Sequence, residues 1–198
     1  MGEVAQSADW DVHMVTREVD RLLDKVKDPR HRAILANYRR HVLLELAGRW
    51  PEILQPDMTV SHPVYRISIG GQMAVYDGAD EVAGFYRALA EAGLAVSTPV
   101  EEKIAVADWG LAFETRSCQV VPSHALVAHG FQVDNPDAVY RFSLVSAGIW
   151  AYDQNAKLLS EHIYTDTGSL QIEQADPADI VTPERAAQLV TPLLEDSS

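Results

Sequence analysis

The 198-residue chain has a single cysteine, Cys118. That excludes a disulfide framework within the chain and any cysteine-based zinc cluster, and a reduced, cytoplasmic setting is the expectation. Basic residues are scarce: 16 Lys and Arg stand against 29 Asp and Glu, a formal charge of −13. So acidic a surface repels phosphate, which argues against nucleic acid and anionic membranes as partners. Long hydrophobic runs are missing as well; none approaches the ~18 residues of a membrane-spanning helix. The opening MGEVAQSADWDVHMV lacks a basic stretch followed by an apolar one, so no secretory signal is expected. Gly and Pro, at 11 and 10 residues, are too few for a low-complexity or fibrous chain. The histidines and acids show no tight metal-ligand spacing, so neither a metal nor a cofactor is expected.

What the chain does have is 47% hydrophobic residues, enough for one globular domain with extensions. Residues 1–28 read as an accessory N-terminal helix, with Val15, Val19, Leu22, Leu23 and Val26 at helical spacing. Asp28 and Pro29 start a second helix, expected to run to Ala47 and stop at Gly48. Its stripe is Ile34, Leu35, Tyr38, His41, Val42, Glu45 and Leu46, with three polar side chains where stability alone would ask for aliphatics. MTVSHPVY and MAVYDG read as short strands, and ADEVAGFYRALAEAG as an amphipathic helix. The period then changes from 3.6 to 2, with strands expected at about 97–107, 110–122, 138–152 and 157–167 and a long connection over 123–137. Residues 171–198 form an acidic tail with a short helix in VTPERAAQLV. Helices, a hairpin, a helix and then long antiparallel strands make an α+β layout. A curved, mostly antiparallel sheet over helices would form a cone with a cavity.

In order, NYRRHVLLELAGRWPEIL, MTVSHPV, YDGADEVAGFYRAL, VADWGLAFE and IWAYDQNAKLLSEHIYTD give roughly residues 30–167 a resemblance to the nuclear transport factor 2-like superfamily, within an expected cone domain of 29–170. That group includes ketosteroid isomerases, scytalone dehydratase, limonene epoxide hydrolase and SnoaL-type polyketide cyclases. The resemblance implies an α+β cone of cystatin-like roll type, frequent homodimerisation and a small-molecule pocket inside the cone. By the ketosteroid isomerase pattern, His62 before Pro63-Val64 stands at the catalytic-base position. Tyr38 has the spacing of the oxyanion tyrosine, and Tyr86 stands in the Phe-Tyr pair that carries its supporting tyrosine. Gly148 falls near the place of that family's aspartic acid donor.

An imidazole such as His62 exchanges protons near neutral pH, and a buried hydroxyl such as Tyr38 stabilises charge developing on a carbonyl oxygen. His62, Tyr38 and Tyr86 are therefore the candidate catalytic residues; the alternative for His62 is a hydrogen bond to a strand or entrance loop. The pocket wall expected from the same picture comprises His41, Glu45, Met58, Val60, Tyr65, Phe85, Ala112, Glu114, Arg116, Trp150, Glu161 and Ile163. By analogy with the family, Ala112, Glu114 and Arg116 face the cone from one strand, and Glu161 and Ile163 from another. Glu114, Arg116 and Glu161 would then form a buried ionic triad, similar to the water-activating group of limonene epoxide hydrolase. The alternative is a solvated sheet face or a dimer contact.

The function expected is a cofactor-independent isomerase, dehydratase or cyclase acting by proton transfer on an apolar carbonyl compound. The competing readings are a non-catalytic ligand-binding or assembly module of the same fold and, more weakly, an epoxide hydrolase. An open cavity favours ligand chemistry; a cone plugged by its own side chains favours assembly.

Overall fold

The computed structural model describes residues 11–69, 72–92, 96–128 and 131–195. The N-terminal segment, expected to be one accessory helix over 1–28, forms a 3-10 turn, Val12–Met14, and then helix α1, Arg17–Lys25; its first ten residues lie outside the described ones. Asp28 accepts a hydrogen bond from the His31 backbone N–H at 3.0 Å, capping α2, Pro29–Leu46. Ala47 follows, then Gly48 in the left-handed region (φ +68°) where a helix commonly ends. Strands β1, Thr59–Ile69, and β2, Gln72–Asp77, form the hairpin, and α3, Ala79–Glu91, follows. Strands β3, Thr98–Ala107, and β4, Gly110–Pro122, come next. The long connection expected after β4 contains a short helix, α4, Ser123–Ala128. Then come β5, Val139–Tyr152, β6, Leu158–Ala175, and α5, Pro183–Glu195. β6 therefore runs past the expected boundary at residue 170, paired with β5 as far as Ala175.

The six strands form one curled, unclosed sheet in the order β2-β1-β6-β5-β4-β3. Among the described residues only the β1–β6 pair is parallel. Three transverse rows of side chains lie on its inner face. Tyr76, Tyr65, Glu161, Trp150, Leu111 and Val106 make the first, and Ala74, Ile67, Ile163, Gly148, Phe113 and Ile104 the second. Thr165, Ser146, Thr115 and Glu102 make the third. The first two rows are mostly apolar, and burying their side chains against α2 and α3 sets the phase of every strand.

Helix α2 is buried on two sides. Ile34, Leu35, Tyr38 and Leu44 join the main core with Tyr65, Tyr86, Leu111 and Trp150. Leu43 and Leu46 pack instead with Val15 and Val190, so the N-terminal segment and α5 cover the helix from behind. Leu43, outside the expected stripe, is buried for this reason; Leu44, also outside it, joins the main core, and Asn37 is buried where its side-chain amide donates to the Met58 and Ala156 carbonyls.

Candidate functional site

Tyr86 of α3 stands at the centre of a buried polar cluster. Its hydroxyl lies 2.9 Å from His41 Nε2 and 3.1 Å from the Tyr65 hydroxyl, and donates to Glu161 Oε1 at 3.3 Å. His41 Nε2 is also 3.3 Å from Glu161 Oε1 and 4.0 Å from Glu45 Oε2. Four elements supply these groups: α2 brings His41 and Glu45, β1 Tyr65, α3 Tyr86 and β6 Glu161.

Burial controls their protonation. Glu161 is 5% exposed, and desolvation, reinforced by the Glu45 charge, holds its carboxyl protonated well above the usual range. Burial lifts Glu45 to about 7 and lowers His41 to about 3, so the imidazole is neutral. Desolvation, with the nearby Glu161 charge, raises Tyr65 and Tyr86 well above the ordinary phenol value.

Beside this cluster is a cavity of about 290 Å3. Glu45 and Glu161 line one part of it and Glu102 another, with Tyr38, Phe85, Phe113 and Trp150 as aromatic wall. Val15 of the N-terminal segment also reaches the cavity, with Thr115, Ser117 and Ser146 as hydroxyl-bearing lining. The Tyr38 hydroxyl donates to Glu102 Oε1 at 2.8 Å, and burial lifts the Glu102 carboxyl to about 7. Among the described residues, no group of three His, Cys, Asp or Glu side chains is arranged to hold a metal ion.

Of the residues expected from the sequence, Tyr38, Glu45, Phe85, Trp150, Glu161 and Ile163 line the cavity. His41, Tyr65 and Tyr86 form the layer behind Glu161. Met58 is buried in the main core away from the cavity, and Val60 is half-buried outside its lining.

His62, expected as the base, does not reach the cavity. Its side chain is 70% exposed and Nε2 pairs with Asp77 Oδ1 at 2.8 Å. On β1 it is Pro63, Tyr65 and Ile67 that are buried, and alternation turns His62 outward with Arg66.

Ala112, Glu114 and Arg116 are likewise corrected. Leu111, Phe113 and Thr115 hold the inner face of β4, because Leu111 and Phe113 bury more apolar surface than the even-numbered set. Glu114 pairs with its cross-strand neighbour Lys103 at 3.0 Å on the outer face. The triad of Glu114, Arg116 and Glu161 is therefore not assembled.

Glu102 is the acid that sequence reasoning missed. Its signal was present: on β3 it is in phase with Ile104 and Val106, so the face that buries them carries it inward. Phe113, Thr115 and Ser146 went unassigned because they follow from the phase of β4 and its register with β5.

The curled α+β cone is a known architecture. No protein-family profile and no curated protein matches the sequence, but solved structures do. An NTF2-like protein from Anabaena variabilis is 11% identical, with a TM-score of 0.50, over 73% of this chain and 96% of that one. A candidate SnoaL-like polyketide cyclase from a Jannaschia species is 11% identical, with a TM-score of 0.53, over 72% of this chain and 91% of that one. The chain has the nuclear transport factor 2-like fold. At such identities the likeness concerns the fold and leaves the chemistry to the site.

Proposed function

We propose that the cavity is a cofactor-independent acid–base site that moves a proton on a small, apolar, carbonyl-bearing molecule. The observation that carries this reading is the carboxyl pair Glu45 and Glu161, whose environments separate their protonation states. Glu161, kept protonated, donates to the carbonyl oxygen and stabilises the charge that develops there. Glu45, near 7, is the base that removes a proton from the adjacent carbon and returns it elsewhere. Tyr86 and His41 act through Glu161 as positioning residues. Isomerisation, loss of water and aldol-type ring closure all share that first step. The open cavity weighs against a cone filled by its own side chains, as a pure assembly module would have.

Exchange of solvent deuterium into neutral cyclic ketones tests the reading without knowledge of the product. The wild type should catalyse exchange at the carbon beside the carbonyl, with a rate that rises around pH 7. Glu45→Gln should slow it by about two orders of magnitude or more. A wild type that binds such ketones without exchanging them would overturn the assignment.

We further propose that a second copy of the chain covers the outer sheet face. Met73, Val75, Ile149 and Tyr164 are exposed there on two adjacent rows. Sedimentation should give a dimer for the wild type and a monomer for Ile149→Asp; a wild type that stays monomeric at every concentration removes the proposal. A cytoplasmic setting suits its free thiol, Cys118.

A further inference from the structure

We infer that the ligand of this cavity carries a cationic, amine-type group, seated against Glu102 and the rings of Tyr38 and Phe113. This rests on reading the cavity as a ligand site but not on proton transfer at Glu45 and Glu161.

The two acid positions are separate. The row that carries Glu161 and the row that carries Glu102 are four residues apart along the strands, about 13 Å. On the helix side, Tyr38 and Glu45 are seven residues apart, about 10 Å along α2. One end of the cavity thus holds the acid–base pair, and the other holds Glu102 with its hydrogen-bonded partner Tyr38.

Among the described residues Glu102 makes no ion pair; Arg17, Lys103 and Arg116 stand with it around a neighbouring cavity, not in this one. Elsewhere the acids find arginines: Glu18 pairs with Arg21, Asp20 with Arg39, Glu52 with Arg49 and Asp57 with Arg40. No Lys, Arg or His is among the described residues lining the cavity. A half-buried carboxyl whose one hydrogen-bond partner is a phenol either keeps its proton or takes up a cation. Burial has lifted Glu102 to about 7, where a positively charged guest readily tips it to the carboxylate.

The surrounding wall suits that guest. The centroid of Tyr38 is 5.8 Å from that of Phe113. Aromatic faces attract a cation within about 6 Å of the ring centre. Thr115 spends its hydroxyl proton on the Glu101 carbonyl at 3.1 Å, which leaves its oxygen able to accept from an ammonium N–H. Ser146 stands next to Thr115 in the same row. An anionic ligand, by contrast, would meet three carboxyl groups and no positive charge.

Calorimetry with three ligands of one shape decides the matter: cyclohexylmethylamine, cyclohexylmethanol and cyclohexanecarboxylate. The amine should bind about tenfold or more tighter than the alcohol, and the carboxylate most weakly. Glu102→Gln should remove most of the amine's advantage, and Phe113→Leu should weaken the amine more than the alcohol. Equal or tighter binding of the alcohol or carboxylate by the wild type overturns the inference, whether or not the variants fold. So does an amine preference that survives Glu102→Gln in a folded variant. Deuterium exchange into ketones without an amine preference overturns this inference alone; an amine preference without exchange overturns only the proton-transfer reading.

Discussion

Gly148 shows how a single hydrogen atom holds the cavity open. The Phe113 ring lies against its α-carbon, and a Cβ added there would overlap the ring. Gly148→Ala should therefore push Phe113 toward the cavity and cost about 1–3 kcal/mol, measured as a lower midpoint in denaturant. The aspartic acid that the sequence resemblance puts near Gly148 has no room in this chain. His62 makes the opposite case. Exposed and paired only with exposed Asp77, it should tolerate His62→Ala with stability changed by less than about 0.5 kcal/mol. Deuterium exchange by that variant should match the wild type, and a large loss would restore His62 to the mechanism. At this scale a motif alone misleads, because one residue of strand phase separates a side chain in the cavity from one in water.

Among the elements, α2 carries the most. It supplies His41 and Glu45 to the site on one side and Leu43 and Leu46 to the packing of α5 and Val15 on the other. Val190 of α5 is fully buried in that second cluster. Val190→Ala should cost roughly 2 kcal/mol although it lies in the acidic tail, beyond the cone core. Unchanged stability would mean that α5 is dispensable. The existence of α2, α3, α5 and the strands was legible in the sequence, since each shows its period and its start or stop residues. The phase of β4 was not, because Leu111, Phe113 and Thr115 on one face and Ala112, Glu114 and Arg116 on the other both alternate acceptably. The competition for the core decided it: two large apolar side chains bury more surface than one alanine and two charges.

For the whole molecule, the buried acids set a pH dependence. Glu45 and Glu102 stand at about 7 in the folded protein, against an ordinary 4.5. Over that interval the folded state holds protons that the unfolded chain has released, so stability falls as pH rises from about 4.5 through about 7. Glu161, raised in the same direction, extends the decline upward. His41, lowered to about 3 from 6.5, opposes it: its contribution is lost as pH falls below 6.5. Denaturant unfolding between pH 5 and 8 should show a net decline, and Glu45→Gln with Glu102→Gln should flatten it. A decline unchanged in that double variant would refute the assignment of protonated carboxyls.

The sequence by itself determined that this is an acidic α+β chain with helices, long antiparallel strands and polar residues on a core-facing helix. Those features are local: periodicity, caps and composition act over a few residues. Only the tertiary structure decided which acids share the cavity, that Glu161 meets Tyr86 and His41, and that Glu102 meets Tyr38 instead of an arginine. These pairings join strands and helices far apart in the chain, and their energies depend on burial. Burial is a property of the packed molecule and is written in no single segment.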